Sequence, residues 1–133
     1  MIIFYKENLK FIYVYKVTSN GDNTMPKIKL ITIEQLMEMD VNREKFKLVE
    51  VLSEESYKQG HIPGAINIPL DKLSGLAKKR LKKTDTIVVY CANYGCHAST
   101  KAAQQLLSME YKKTVDFKAG KQGWVDAGFE LEK

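Results

Sequence analysis

The feature that most restricts this chain is an alternation of pattern. From Lys27 onward, short apolar runs that read as strands take turns with amphipathic stretches that read as helices. IKLI, FKLVEVL, AINIPL, TIVVYC and KTVDF carry the strand signals. IEQLMEMD, EESYKQ, KLSGLAKKRL, STKAAQQLLSM and a short piece near GWVDAG carry the helix signals. A helix between two strands acts as a crossover, which makes the strands parallel and lays helices on the sheet. The expectation is an α/β fold, a three-layer domain with a mainly parallel central sheet flanked by helices.

Local signals fix several boundaries. Thr32 followed by Gln35 is a capping-box pattern opening IEQLMEMD. Ser53 is placed to cap EESYKQ, which Gly60 ends, and Asp71 to cap KLSGLAKKRL. TIVVYC has no polar alternation, so it reads as a strand buried on both faces. Residues 1–24, MIIFYKENLKFIYVYKV and the turn-rich TSNGDNT, precede the alternation. They read as an N-terminal extension, either a hairpin or a poorly ordered segment, with the domain over residues 25–133.

Composition narrows the partners. At 44% hydrophobic and 28% charged residues, 133 residues suffice for one ordinary domain with a buried core. The formal charge of +5 favours anionic ligands, but the basic residues are scattered, as in AKKRLKK, and not set beside aromatics. That run reads as a solvated helix face, and no nucleic-acid partner is expected. FIYVY is shorter than the apolar core of about 7–15 residues that a secretion signal needs, and no stretch is long enough to span a membrane. A cytoplasmic protein without a membrane partner is the expectation. In that reducing compartment, two cysteines five residues apart are more often catalytic or redox-active than structural.

Both cysteines fall between the buried strand and a helix, in VVYCANYGCHASTKAAQQLL. In such sheets ligands bind beyond the carboxyl ends of strands. The next helix points its free N–H groups back at the loop, which predicts a lowered thiol pKa at Cys91 and a nucleophilic thiolate. Gly95 supplies a residue able to take positive φ and turn backbone N–H groups inward. Cys91 and Cys96 are the candidate catalytic residues, and Ala92, Asn93, Tyr94, Gly95 and His97 the candidate substrate-binding ones. Two roles stay open for Cys96: a thiol that resolves sulfur carried on Cys91, or part of the pocket wall. A metal site wants about four ligands, and this loop offers Cys91, Cys96 and His97. No metal is expected.

LVEVLSEESYKQGHIPGAINIPL, and above all GHIPGAINIP, resembles the N-terminal signature of rhodanese-homology domains. VDFKAGKQGWVDAGFELE is similar to the family's closing motif, a strand and Gly turn followed by a Trp-containing short helix. The resemblance covers roughly residues 27–132 and puts Cys91 in the catalytic position. It implies a single-domain sulfurtransferase whose Cys91 thiolate takes sulfane sulfur from thiosulfate or a persulfide. The sulfur would be held as a persulfide and delivered to cyanide, a thiol or an acceptor protein, with no cofactor. By the same resemblance His61 shapes its turn and is not catalytic. Trp124 reads as core or pocket wall.

The departures from the family pattern are specific. Glu50-Val51-Leu52 stands where Asp-Val-Arg is common, so one structural ion pair is expected to be missing. Ser56 stands where a Glu is frequent. The loop reads as about two residues longer than usual, and its usual arginine is absent. Lys118, Lys121 or His97 would have to substitute, and weak activity with thiosulfate is expected. A cysteine phosphatase would need an arginine at the loop's end for bidentate phosphate contact, but the only arginines are Arg43 and Arg80. A regulatory binding module, or a dithiol–disulfide protein similar to arsenate reductases, stays open as the alternative.

Overall fold

The computed structural model describes residues 27–133. The extension expected over residues 1–24 lies outside the described residues. The alternation is realised as β1 (Lys29–Leu30), α1 (Ile33–Val41), β2 (Lys47–Glu50), α2 (Glu54–Gln59), β3 (Ile66–Asn67), a 3-10 turn (Leu70–Lys72), α3 (Leu73–Arg80), β4 (Ile87–Tyr90), α4 (Ala98–Ser108), β5 (Thr114–Asp116) and α5 (Gly120–Asp126). The strands form one sheet in the order β1-β5-β4-β2-β3, and every pair is parallel.

The continuous apolar run of β4 is explained by its central place. Successive strand side chains point to opposite faces. Ile87 and Val89 join one core cluster with Leu73 and Ala77 of α3 and Ala102, Ala103 and Leu106 of α4. Val88 and Tyr90 join the other, with Leu36 of α1, Ile62 and Phe117. All four residues of β4 are buried. A polar side chain at any of them would enter one of the two layers of packing.

The caps follow the sequence with one exception. Thr32 Oγ1 accepts from the Gln35 N–H at 3.1 Å and Gln35 Oε1 accepts from the Thr32 N–H at 2.8 Å. Such a cap is worth about 1 kcal/mol. Ser53 Oγ accepts from the Ser56 N–H at 3.2 Å, and Gly60 closes α2. Asp71, however, does not cap α3. It sits inside the 3-10 turn, and α3 starts at Leu73 without a side-chain cap. Pro69 starts this turn early, and the Leu73 N–H, which a capping aspartate at 71 would serve, donates to the Leu70 carbonyl instead.

The GHIPGA stretch is a structural fastener. Ala65 N–H donates to Ile62 O at 3.0 Å across Pro63-Gly64, with Gly64 at φ +87°. A proline followed by a glycine at positive φ is what such a turn requires. His61 stacks on Tyr57 with ring centroids 3.8 Å apart, and its Nε2 lies 3.2 Å from Glu132 Oε2. An antiparallel bridge between His61 and Glu132 ties the C-terminal tail to the same place. These contacts give His61 the structural role expected of it.

Candidate active site

Cys91 follows β4 directly, at the carboxyl end of the sheet, and is 0% exposed. The chain then loops through residues 92–97 and enters α4 at Ala98. The loop is also held from α5, which starts at Gly120, three residues before the GWVDAG piece read from the sequence. The Lys121 N–H donates to Cys91 O at 3.0 Å and the Gln122 N–H to Ala92 O at 2.9 Å. Gly120 makes this approach possible. Its φ is +63°, and a Cβ there would stand 2.3 Å from the Cys91 carbonyl oxygen.

Within the loop the structure departs from expectation at Gly95. The glycines with positive φ among the described residues are Gly64, Gly120 and Gly128, not Gly95. Asn93 makes the turn instead: its Oδ1 accepts from the Gly95 N–H at 2.9 Å and its carbonyl from the Cys96 N–H at 3.1 Å. Side-chain oxygens of Asn commonly bond to the backbone two residues on, which removes the need for a left-handed residue. Those N–H groups are therefore spent inside the loop. Tyr94 stands at its tip, 63% exposed. His97 is exposed at the start of α4 and caps it with no side-chain bond.

The two thiols meet. The Cys91 S–H donates to the Cys96 carbonyl oxygen at 3.5 Å, and each thiol shifts the acidity of the other. The lowered pKa expected of Cys91 falls on Cys96 instead. Burial pushes the Cys91 thiol up, and the Cys96 thiol adds to this; the Ser99 O–H and N–H pull it down without prevailing. At Cys96 burial also acts upward. It is outweighed by the Cys91 thiol, the N–H groups of Ala92 and Ala98 and the Lys118 ammonium, which hold Cys96 below the ordinary thiol range. The start of α4 does favour an anion, as predicted. The Ala98 N–H serves the Cys96 sulfur, while the more deeply buried Cys91 loses the stabilisation of water.

The cations sort themselves. Lys118 Nζ donates to the Cys96 carbonyl at 3.0 Å and is the ammonium at the loop. Lys121 is committed elsewhere, 3.0 Å from Glu50 Oε2 and donating to Ser56 O at 2.9 Å and Ser56 Oγ at 3.1 Å. Glu50 is 0% exposed and also accepts from Tyr90 OH at 2.9 Å. The ion pair expected to be lost with Leu52 is thus made from α5, and Ser56 completes it. Ser99 was read only as part of a helix. Its place against Cys91 depends on the length of the loop, which no local pattern reveals.

Among the described residues, no group of three or more His, Cys, Asp or Glu side chains is arranged to hold a metal. No helix among them is long and apolar enough to cross a membrane. A cavity of about 710 Å³ opens at the other end of the sheet, lined by Lys47, Asp85, Thr86 and Lys113 among others. No cysteine lines it.

A family model, the rhodanese-like domain, matches residues 32–127. The chain belongs to the rhodanese-like family. YrkF of Bacillus subtilis, named as a sulfur carrier protein, is 27% identical over 107 residues, covering 80% of this chain and 55% of its own length. An Ogataea parapolymorpha protein named adenylyltransferase and sulfurtransferase is 31% identical over 112 residues, covering 82% of this chain and 27% of its own. This rhodanese-like chain therefore spans about half or less of the length of these two relatives. The solution structure of a rhodanese-like domain from an Anabaena protein superposes with a TM-score of 0.69 at 26% identity, covering 76% of each chain.

Proposed function

We propose that this protein is a sulfurtransferase that carries sulfane sulfur as a persulfide on Cys91 and delivers it to a thiophilic acceptor. The observation that carries the reading is the position of Cys91. It directly follows the central strand of a rhodanese-like domain, at the carboxyl end of the sheet, with its sulfur 3.5 Å from the Cys96 carbonyl oxygen. Relatives named sulfur carrier and sulfurtransferase support the same class of chemistry. The Cys91 thiolate attacks the sulfane sulfur of the donor, the donor's S–S bond breaks, and sulfite or a thiolate leaves. An acceptor thiol then attacks the outer sulfur and Cys91 is regenerated as thiolate. Neither step is a net oxidation of the protein, and neither requires a cofactor.

The donors that suit this loop are persulfides and polysulfides more than thiosulfate. Thiosulfate is a dianion, and the loop offers it the Lys118 ammonium in place of an arginine fork. The acceptor is a small thiol or a sulfur-acceptor protein. Without an acceptor, Cys96 attacks the Cys91 sulfur, sulfide leaves and a Cys91–Cys96 disulfide closes; the contact between the thiols supports this step. The same contact supports a second reading, a dithiol–disulfide redox protein. Persulfide formation separates the two, because a redox shuttle has no use for it.

The test is Cys91→Ser, assayed for turnover with thiosulfate and with glutathione persulfide. The serine hydroxyl does not ionise near neutral pH and cannot carry a persulfide, so turnover disappears with both donors. In the wild type the persulfide gives the higher kcat/KM. More than about a tenth of wild-type turnover in the variant would sink the assignment.

A further inference from the structure

The two sulfurs of the loop are unequally placed to meet a donor. Cys91 is sealed: it is 0% exposed, it sits under the Cys96 carbonyl, and the first turn of α5 is bonded to its own carbonyl. Cys96 is only half-buried. The groups that would receive an approaching anion are also gathered at Cys96. The N–H groups of Ala92 and Ala98 act on its sulfur, and Lys118 is bound to its carbonyl. The loop N–H groups of Gly95 and Cys96 are engaged by Asn93 and are not turned toward Cys91.

The geometry points to Cys96 as the port of this site: the donor meets Cys96 first, and sulfane sulfur reaches Cys91 by transfer within the loop. This rests on the sulfurtransferase reading above, keeps its Cys91 persulfide, and replaces direct attack of Cys91 on the donor by a relay through Cys96. The Cys96 thiolate attacks the sulfane sulfur of a persulfide donor, RS–S⁻ in its protonated form RS–SH. The RS–S bond breaks, RS⁻ leaves, and Cys96–S–SH forms. The Cys91 proton passes to RS⁻ or water, and the Cys91 thiolate attacks the outer sulfur of Cys96–S–SH. The bond from Cys96 to that sulfur breaks, Cys96 leaves as thiolate, and Cys91–S–SH forms. Sulfane sulfur is moved intact, with no oxidant or reductant consumed. Release does not retrace this route: the acceptor takes the outer sulfur from the Cys91 persulfide directly, so Cys91 is needed for turnover.

Attack on the outer atom of a persulfide, which moves that sulfur to the attacking thiolate, differs from resolution, which strikes the inner atom and expels sulfide. Single-turnover loading with glutathione persulfide, quenched by alkylation and read by intact mass and peptide mapping, distinguishes the routes. Wild type, Cys91→Ser, Cys96→Ala and Cys96→Ser are compared after each is shown to be folded by circular dichroism. Two replacements at Cys96 guard against a packing defect in either. Cys91→Ser, although dead in turnover, gains one sulfur on Cys96 at a rate within about threefold of wild-type loading. Both Cys96 variants load Cys91 at least about tenfold more slowly than wild type. Loading of Cys91 at the wild-type rate in both Cys96 variants overturns the proposal, and so does the absence of sulfur on Cys96 in Cys91→Ser. If wild type itself gains no sulfur, the sulfurtransferase reading fails and the route fails with it.

Discussion

Of the two thiols, Cys96 is the first to ionise as pH rises. Burial raises Cys91, whereas at Cys96 the upward push of burial is overcome by the Cys91 thiol, the Ala92 and Ala98 N–H groups and Lys118. Thiolate, and not thiol, reacts with an alkylating agent. At neutral pH iodoacetamide should therefore label Cys96 at least about tenfold faster than Cys91, a difference that peptide mapping reads directly. Labelling of Cys91 first would contradict the acidity order. The sign of the linkage follows as well. A thiol held below its unfolded value of about 8.5 stabilises the fold above that pH, and the benefit is lost as pH falls through the folded value. Cys91 is raised, so its contribution is full below about pH 8.5 and is lost as pH rises through its folded value. The two thiols thus tilt stability in opposite directions.

Among the elements, α5 governs the shape of the loop. Gly120→Ala forces a left-handed φ on a residue with a Cβ and drives that Cβ against the Cys91 carbonyl. The conformational cost alone is about 1–3 kcal/mol. Chemical denaturation should show a loss of about 2 kcal/mol or more, and turnover should fall with it, because relief requires α5 and the Cys91 backbone to part. A variant with wild-type stability and turnover would show that α5 does not pin the loop. Elements set by neighbours in sequence were legible: the Thr32–Gln35 box, the Ser53 cap and the doubly buried β4 needed only local pattern. Elements set by distant partners were not. Asp71 lost its capping role to a turn anchored on Val51, and α5 starts early because its first N–H groups reach Cys91 and Ala92. The site divides the same way. Cys91 and Cys96 were visible as a pair in one loop, but the raised pKa of Cys91 depends on how deeply the fold buries its sulfur. The Lys121–Glu50 pair joins residues too far apart in sequence for any motif to link.

For the whole molecule, both faces of the parallel sheet are already covered by the helices of residues 27–133, in two clusters built around β4. The family match likewise begins at residue 32. A chain starting at Met25 should therefore fold and turn over much as the full chain does. A loss of more than about 2 kcal/mol on truncation, well outside the range of surface changes, would place residues 1–24 in the core. The chain has a single tryptophan, Trp124. Its Nε1 donates to Glu130 O at 2.9 Å, its ring lies 4.8 Å from that of Phe129, and it shares α5 with the two residues that grip the cysteine loop. With one indole there is one emission band to assign. Fluorescence excited at the indole is a native optical probe at a known address, requiring no label. A change in that light on adding a sulfur donor would time the movement of α5, while its shift in denaturant would time the release of the C-terminal tail.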